Sequence, residues 1–132
     1  MLDPASINDR FATANGMRLL EVCPGHAVAE VDIEPERHHN SLGTVHGGVY
    51  FTLAALAFSA ACNASGQATV GIQTSLSLLH PVVAGRMRAE AREVSRSRKL
   101  ATVEVRVTDE AGQLVGLLVG TAYVKRTPYP PA

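Results

Sequence analysis

Val49-Tyr50-Phe51-Thr52-Leu53-Ala54-Ala55-Leu56-Ala57-Phe58-Ser59-Ala60-Ala61-Cys62-Asn63 decides the fold. Alanine, the strongest helix former, recurs through this run, and the residues are apolar on nearly every side of a 3.6-residue repeat. A surface helix keeps a polar face. This one is therefore predicted to be a central helix wrapped by the rest of the chain. His46-Gly47-Gly48 leads into it, and Gly66 ends it.

The flanking sequence alternates instead, with the period of two that marks strands. Upstream, Met17–Cys23 and Ala27–Ile33 read as two strands joined by the Pro24-Gly25 turn. Downstream, Val70, Ile72, Thr74, Leu76 and Leu78 alternate with Gly71, Gln73, Ser75 and Ser77, and Pro81 ends that strand. Arg86–Val94, a strand around Val103–Val107 and Leu114–Val124 follow, and with the strand at 70–78 they read as one antiparallel meander, with a hairpin at Asp109–Gly112. Asp3-Pro4 caps an N-terminal helix toward Thr13, within residues 1–15. Pro35–Val45 reads as loop, and residues 127–132 as a flexible proline-rich tail in which Pro128 cannot continue a ladder. The fold class is α+β: one domain over residues 1–132, an antiparallel sheet around one long apolar helix.

The 132 residues can bury a core without metals or disulfides. Twelve basic and twelve acidic residues give a net charge of zero, which disfavours a nucleic-acid binder or a polybasic membrane protein. The longest apolar stretch, Gly47–Cys62, is interrupted by Thr52 and Ser59 and falls short of the roughly 18–20 residues of a membrane span. Two cysteines, Cys23 and Cys62, make no disulfide framework, and no signal peptide is legible, so a cytoplasmic domain is expected. From His38 to Gly85, 48 consecutive residues carry no Asp, Glu, Lys or Arg. Such a length is expected to be buried twice, in the core and against a second copy of the chain. The strand at residues 70–78, uncharged on its polar face, suits that seam.

The glycines before the helix carry the chemistry. A helix N-terminus offers unpaired N–H groups and a positive dipole end, and glycine lets a ligand carbonyl come close. No Gly-x-Ser-x-Gly elbow, P-loop, dinucleotide fingerprint or metal-binding His or Cys spacing is present, so a metal site is not expected.

Four features together resemble the hotdog-fold thioesterases, and within them the phenylacetate-degradation (PaaI-like) group. They are the Asn40…Gly43…His46-Gly47-Gly48 approach, the helix FTLAALAFSAACNASG (51–66), the strand ending Leu79-His80-Pro81, and the hairpin around DEAGQLVG (109–116). The resemblance covers nearly the whole chain. It implies hydrolysis of an acyl- or aryl-CoA thioester, with coenzyme A entering as part of the substrate and no separate cofactor. It also implies a dimer, or dimer of dimers, with sites at the subunit interface. The resemblance puts oxyanion stabilisation on Gly47 N–H, with Gly48 beside it in substrate binding. Asn40 orients the carbonyl or water, and His46 stands at the helix start. The basic turn Ser95–Lys99 suits the three phosphates of coenzyme A, through Arg96, Arg98 and Lys99. An ordinary solvated turn is the other reading of those cations.

One position departs from the family. The resemblance places an acidic residue, as general base or nucleophile, where this chain has Ala55. That acid works across the dimer on substrate held by the partner's glycines. No Asp or Glu lies between Glu36 and Glu90 to replace it. Three readings stay open: an introduced Asp→Ala replacement, a natural non-catalytic binder of acyl-CoA or an aromatic acid, or service by another side chain such as Ser59 or Thr52. Turnover is expected to be weak or absent.

Overall fold

The computed structural model describes residues 2–130. Its strands are β1 (Met17–Cys23), β2 (His26–Asp32), β3 (Gln67–Leu78), β4 (Arg86–Arg96), β5 (Leu100–Thr108) and β6 (Leu114–Pro128). Its helices are α1 (Arg10–Ala14), α2 (Pro35–His38) and α3 (Gly47–Asn63). The strands form one antiparallel sheet in the order β1-β2-β4-β5-β6-β3. Its concave face closes on α3, which packs against all six strands. Ala27, Ala29 and Val31 of β2, Met87, Ala89 and Ala91 of β4, and Val103, Val105 and Val107 of β5 point at the helix and are buried. The alanines among them let β2 and β4 come close to an alanine-rich helix.

The α+β class and the central helix are as expected, and several details are corrected. Strands β4, β5 and β6 form the meander, but β3 leaves it and pairs with β6 at the opposite edge. The segment 79–85 carries the chain across the sheet from β3 to β4. The helix begins two residues earlier than read, at Gly47, because the His46 side chain caps it. The N-terminal segment is not one helix. Asp3 caps a single 3₁₀ turn, Pro4–Ser6, and Asp9 caps α1 separately, with extended backbone between them. Pro35 starts a short helix within the expected loop. Pro128 does not stop the ladder. It stands opposite Gln67, and Tyr129 N–H beyond it donates to Gly66 O at 2.8 Å. Pro131 and Ala132, also assigned to the tail, lie outside the described residues.

The helix is not fully wrapped. Phe51 and Ser59 are exposed and Ala55 between them is half-buried, a stripe at i, i+4 and i+8. Next to it runs β3, an edge strand of twelve residues with no charged side chain. Val70, Ile72 and Leu78 on it are exposed.

Candidate active site

The site begins at the junction of the loop with α3. His46 has extended backbone, and its Nδ1 accepts the Gly48 N–H at 2.8 Å. That bond fills one of the open donors of the helix start. It also explains the second glycine, since a Cβ on residue 48 would stand 2.9 Å from His46 Nδ1. Val49 N–H bonds His46 O. Among the described residues, Gly47 N–H has no hydrogen-bond partner. The pair is thus divided: Gly48 holds the cap, and Gly47 presents a free donor at the positive end of a seventeen-residue helix.

The loop before it is tied from within. Asn40 Oδ1 accepts the Leu42 and Thr44 N–H groups at 2.8 and 3.2 Å, and its Nδ2 donates to Thr44 Oγ1 at 2.9 Å. Among the described residues, one N–H of the Asn40 amide stays uncommitted. His38 is buried, with Nδ1 accepting Glu34 N–H and Nε2 facing Asn15 O. His39 Nε2 reaches Val83 O at 2.7 Å, and Tyr50 donates its hydroxyl to His80 O at 2.7 Å. These bonds hold the junction against the segment that follows β3.

A cavity of about 430 Å³ lies between the uncovered stripe of α3 and β3. Ala55 and Ser59 line it, with Phe51, Phe58 and Cys62 from the helix and Gly71, Ile72, Gln73 and Thr74 from β3. No lining residue is charged. Ser59 Oγ receives a long 3.3 Å contact from the Asn63 amide, whose oxygen also takes Thr69 N–H at 2.7 Å. Asn63 thereby clamps the end of α3 to the start of β3. Cys62 is no substitute nucleophile, because burial, with the Glu93 charge adding to it, pushes its thiol up to about 12.

The expected site residues fall into three places. Ala55 and Ser59 share the helix–β3 cavity. His46 and Gly48 line a separate cavity of about 260 Å³ with Thr52, His39, Arg37 and Phe11. Arg96 sits at the far end of α3, where it donates to Cys62 O at 3.4 Å, Ser65 Oγ at 2.7 Å and Glu93 Oε1 at 2.6 Å. Arg96 is therefore committed to the helix C-terminus. Arg98 and Lys99 are exposed on the β4–β5 turn beyond it. The helix separates Gly47 from that end by about 24 Å, at 1.5 Å per residue. Sequence reading missed the β3 contribution to the cavity. Its signal was the alternation of small and polar residues from Gly71 to Thr74 on a strand without charge.

The chain matches the family described as "Thioesterase superfamily" over residues 42–116. A protein of Archaeoglobus fulgidus carried under an esterase name is 34% identical over 125 residues, covering 94% of this chain and 80% of that protein. The acyl-coenzyme A thioesterase PaaI of Escherichia coli is 27% identical over 117 residues, covering 88% of this chain and 83% of the relative. Its solved structure superposes with a TM-score of 0.85, covering 89% of this chain and 86% of that one. A mutant of the phenylacetic acid degradation protein PaaI from Thermus thermophilus superposes at 0.82 with 38% identity, covering 87% and 98% of the two chains.

Proposed function

The chain belongs to the thioesterase superfamily and has its hotdog fold, and from that premise we propose that it binds an acyl- or aryl-CoA thioester and hydrolyses it weakly or not at all. The free Gly47 N–H at the start of an apolar helix carries this reading. In this reading it holds the thioester oxygen as charge develops there, and the helix dipole adds to it. The uncommitted N–H of Asn40 is a second donor toward the carbonyl or water. His46 acts through the cap that sets the Gly47 backbone.

The missing function is the base. The acid of the family stands where this chain has Ala55, and the cavity lining offers no carboxylate and no thiolate in its place. General-base assistance supplies roughly 10²–10⁴-fold in rate, so oxyanion stabilisation and binding are what remain.

The site needs a second copy. Gly47 and position 55 lie about 12 Å apart along one helix, too far for one carbonyl to meet both. The uncharged β3 edge and the bare stripe of α3 beside it supply a seam for a dimer. A dimer of dimers is the larger assembly we favour. Arg98 and Lys99 are the phosphate contacts of this reading, with Arg96 bracing their turn. The free cysteines fit a cytoplasmic setting.

A second reading is a non-catalytic binder of acyl-CoA or an aromatic acid, favoured by the uncharged cavity. Thiol release from a panel of aryl- and acyl-CoA esters, run on this chain and on Ala55→Asp, separates the two. A gain of orders of magnitude in Ala55→Asp supports the disabled hydrolase. CoA-ester binding without hydrolysis in either protein supports the binder. Fast turnover by the native chain, unchanged in Ala55→Asp, overturns the role of position 55.

A further inference from the structure

Phe58 and Gly71 both line the helix–β3 cavity, and Gly120 lies under the same ring without lining it. Phe58 of α3 is 5% exposed, and its ring lies against the concave face of the sheet over Gly71 of β3 and Gly120 of β6. A Cβ on Gly71 would stand 3.1 Å from Phe58 Cε2. A Cβ on Gly120 would stand 3.0 Å from both Cε2 and Cζ and 3.2 Å from Thr74 Cγ2. Neither glycine has a positive φ, so a turn does not explain them. The ring itself does, because it can lie this low only where both strands lack a side chain.

The same ring lines the cavity, one turn along the helix from Ala55. Cys62, one turn farther along α3, and Thr69 line the cavity beyond it, so the height of the ring above the sheet sets how freely a chain passes position 58 toward them. The lining has no cation, so an acyl group ending in a carboxylate would be buried without a partner. The polar side chains present, among them Gln73 and Thr74, can meet a hydroxyl or carbonyl.

We propose that Phe58, seated on Gly71 and Gly120, is the specificity-determining residue that limits acyl length, and that the cavity accepts compact, uncharged acyl groups. This rests on the reading above that the chain binds an acyl- or aryl-CoA thioester, and it assigns the acyl part of that thioester to the cavity beside Ala55. A deeper seat for the ring lengthens the cavity. A side chain beneath the ring lifts it into the cavity and shortens it.

The test is binding, which does not depend on turnover. S-alkyl-CoA thioethers from butyl to dodecyl are titrated calorimetrically into the native chain, Phe58→Leu, Phe58→Ala and Gly120→Ala, each first checked for cooperative thermal unfolding. With the native chain, affinity is expected to rise about fourfold per methylene and then fall at a break point. Phe58→Ala should move that break to longer chains, with at least a tenfold gain for the first chain the native protein rejects. Phe58→Leu should move it less, and Gly120→Ala should move it to shorter chains. A carboxylate-ended thioether should bind at least tenfold more weakly than its methyl-ended counterpart. An unchanged break point in folded Phe58→Leu and Gly120→Ala overturns the length limit while leaving CoA binding intact. No binding of any thioether overturns the acyl-CoA reading itself, and this inference with it.

Discussion

His46 Nδ1 takes the N–H of Gly48, two residues on, and leaves the N–H of Gly47 between them without a partner among the described residues. One side chain both starts the helix and defines the donor that can face a ligand.

That relationship predicts a capping role for His46 rather than proton transfer. His46→Ala should lower stability by about 1 kcal/mol, the usual cost of a lost cap. His46→Ser and His46→Asn should recover most of it, because both supply an oxygen acceptor. Urea unfolding midpoints of the four proteins check this. If CoA-thioester affinity also recovers in His46→Ser, no imidazole chemistry is involved.

Arg96 and its neighbours should separate cleanly. Arg96→Gln loses charged hydrogen bonds to Cys62 O, Ser65 and Glu93 at the end of α3. It should cost about 1–2 kcal/mol of stability. Arg98→Gln and Lys99→Gln should leave the melting temperature in place, weaken coenzyme A binding, and flatten its dependence on salt. Thermal melts beside CoA titrations at two ionic strengths decide it. Unchanged affinity in both of the latter variants would remove the turn from the site.

Strand β3 should be the seam between subunits. A lysine on an uncharged edge blunts strand pairing. Ser75→Lys, at an exposed position of β3, should shift the assembly toward monomer in sedimentation at micromolar concentration. It should also reduce the turnover of the Ala55→Asp background, because the proposed site is shared between two copies. A monomeric native chain would remove the shared-site reading.

Acid should destabilise the chain at its outer sheet face. Asp32 is held below its ordinary value of 3.8, chiefly by the hydrogen bond from Arg86, and Glu90 below 4.5, chiefly by that from His26. A carboxylate depressed in the folded state contributes stability that is complete above its ordinary pKa. That stability drains away as pH falls through the depressed value. Unfolding midpoints should therefore hold down to about pH 4.5 and decline below it. Glu90→Gln should start lower at neutral pH and fall less steeply. Parallel slopes for the two proteins would deny Glu90 this part.

Much was legible in the residues alone. The apolar run at 49–63 announces a buried helix, because a repeat that is apolar all round has no solvent face. Met17–Cys23 and the Asp109–Gly112 hairpin stand where alternation and turn chemistry put them. The glycine pair at the helix start, the absence of an acid at Ala55 and the charge-free length from His38 to Gly85 are facts of the chain itself. Each rests on a pattern only a few residues wide, or on composition.

Tertiary structure decided the rest. Only sheet order puts β3 on an edge beside β6, and only the β3–β6 register brings Gly71 and Gly120 under one phenylalanine ring. Arg96 reads as a loose cation in a basic turn until the fold carries it to the end of α3, where three acceptors take it. The bare stripe of Phe51, Ala55 and Ser59 is invisible in the helix sequence, since which side of an all-apolar helix stays uncovered depends on where the sheet stops. Local periodicity encodes the elements, because neighbours in the chain share one backbone geometry. Contacts between elements follow from register and strand order, which long-range packing sets.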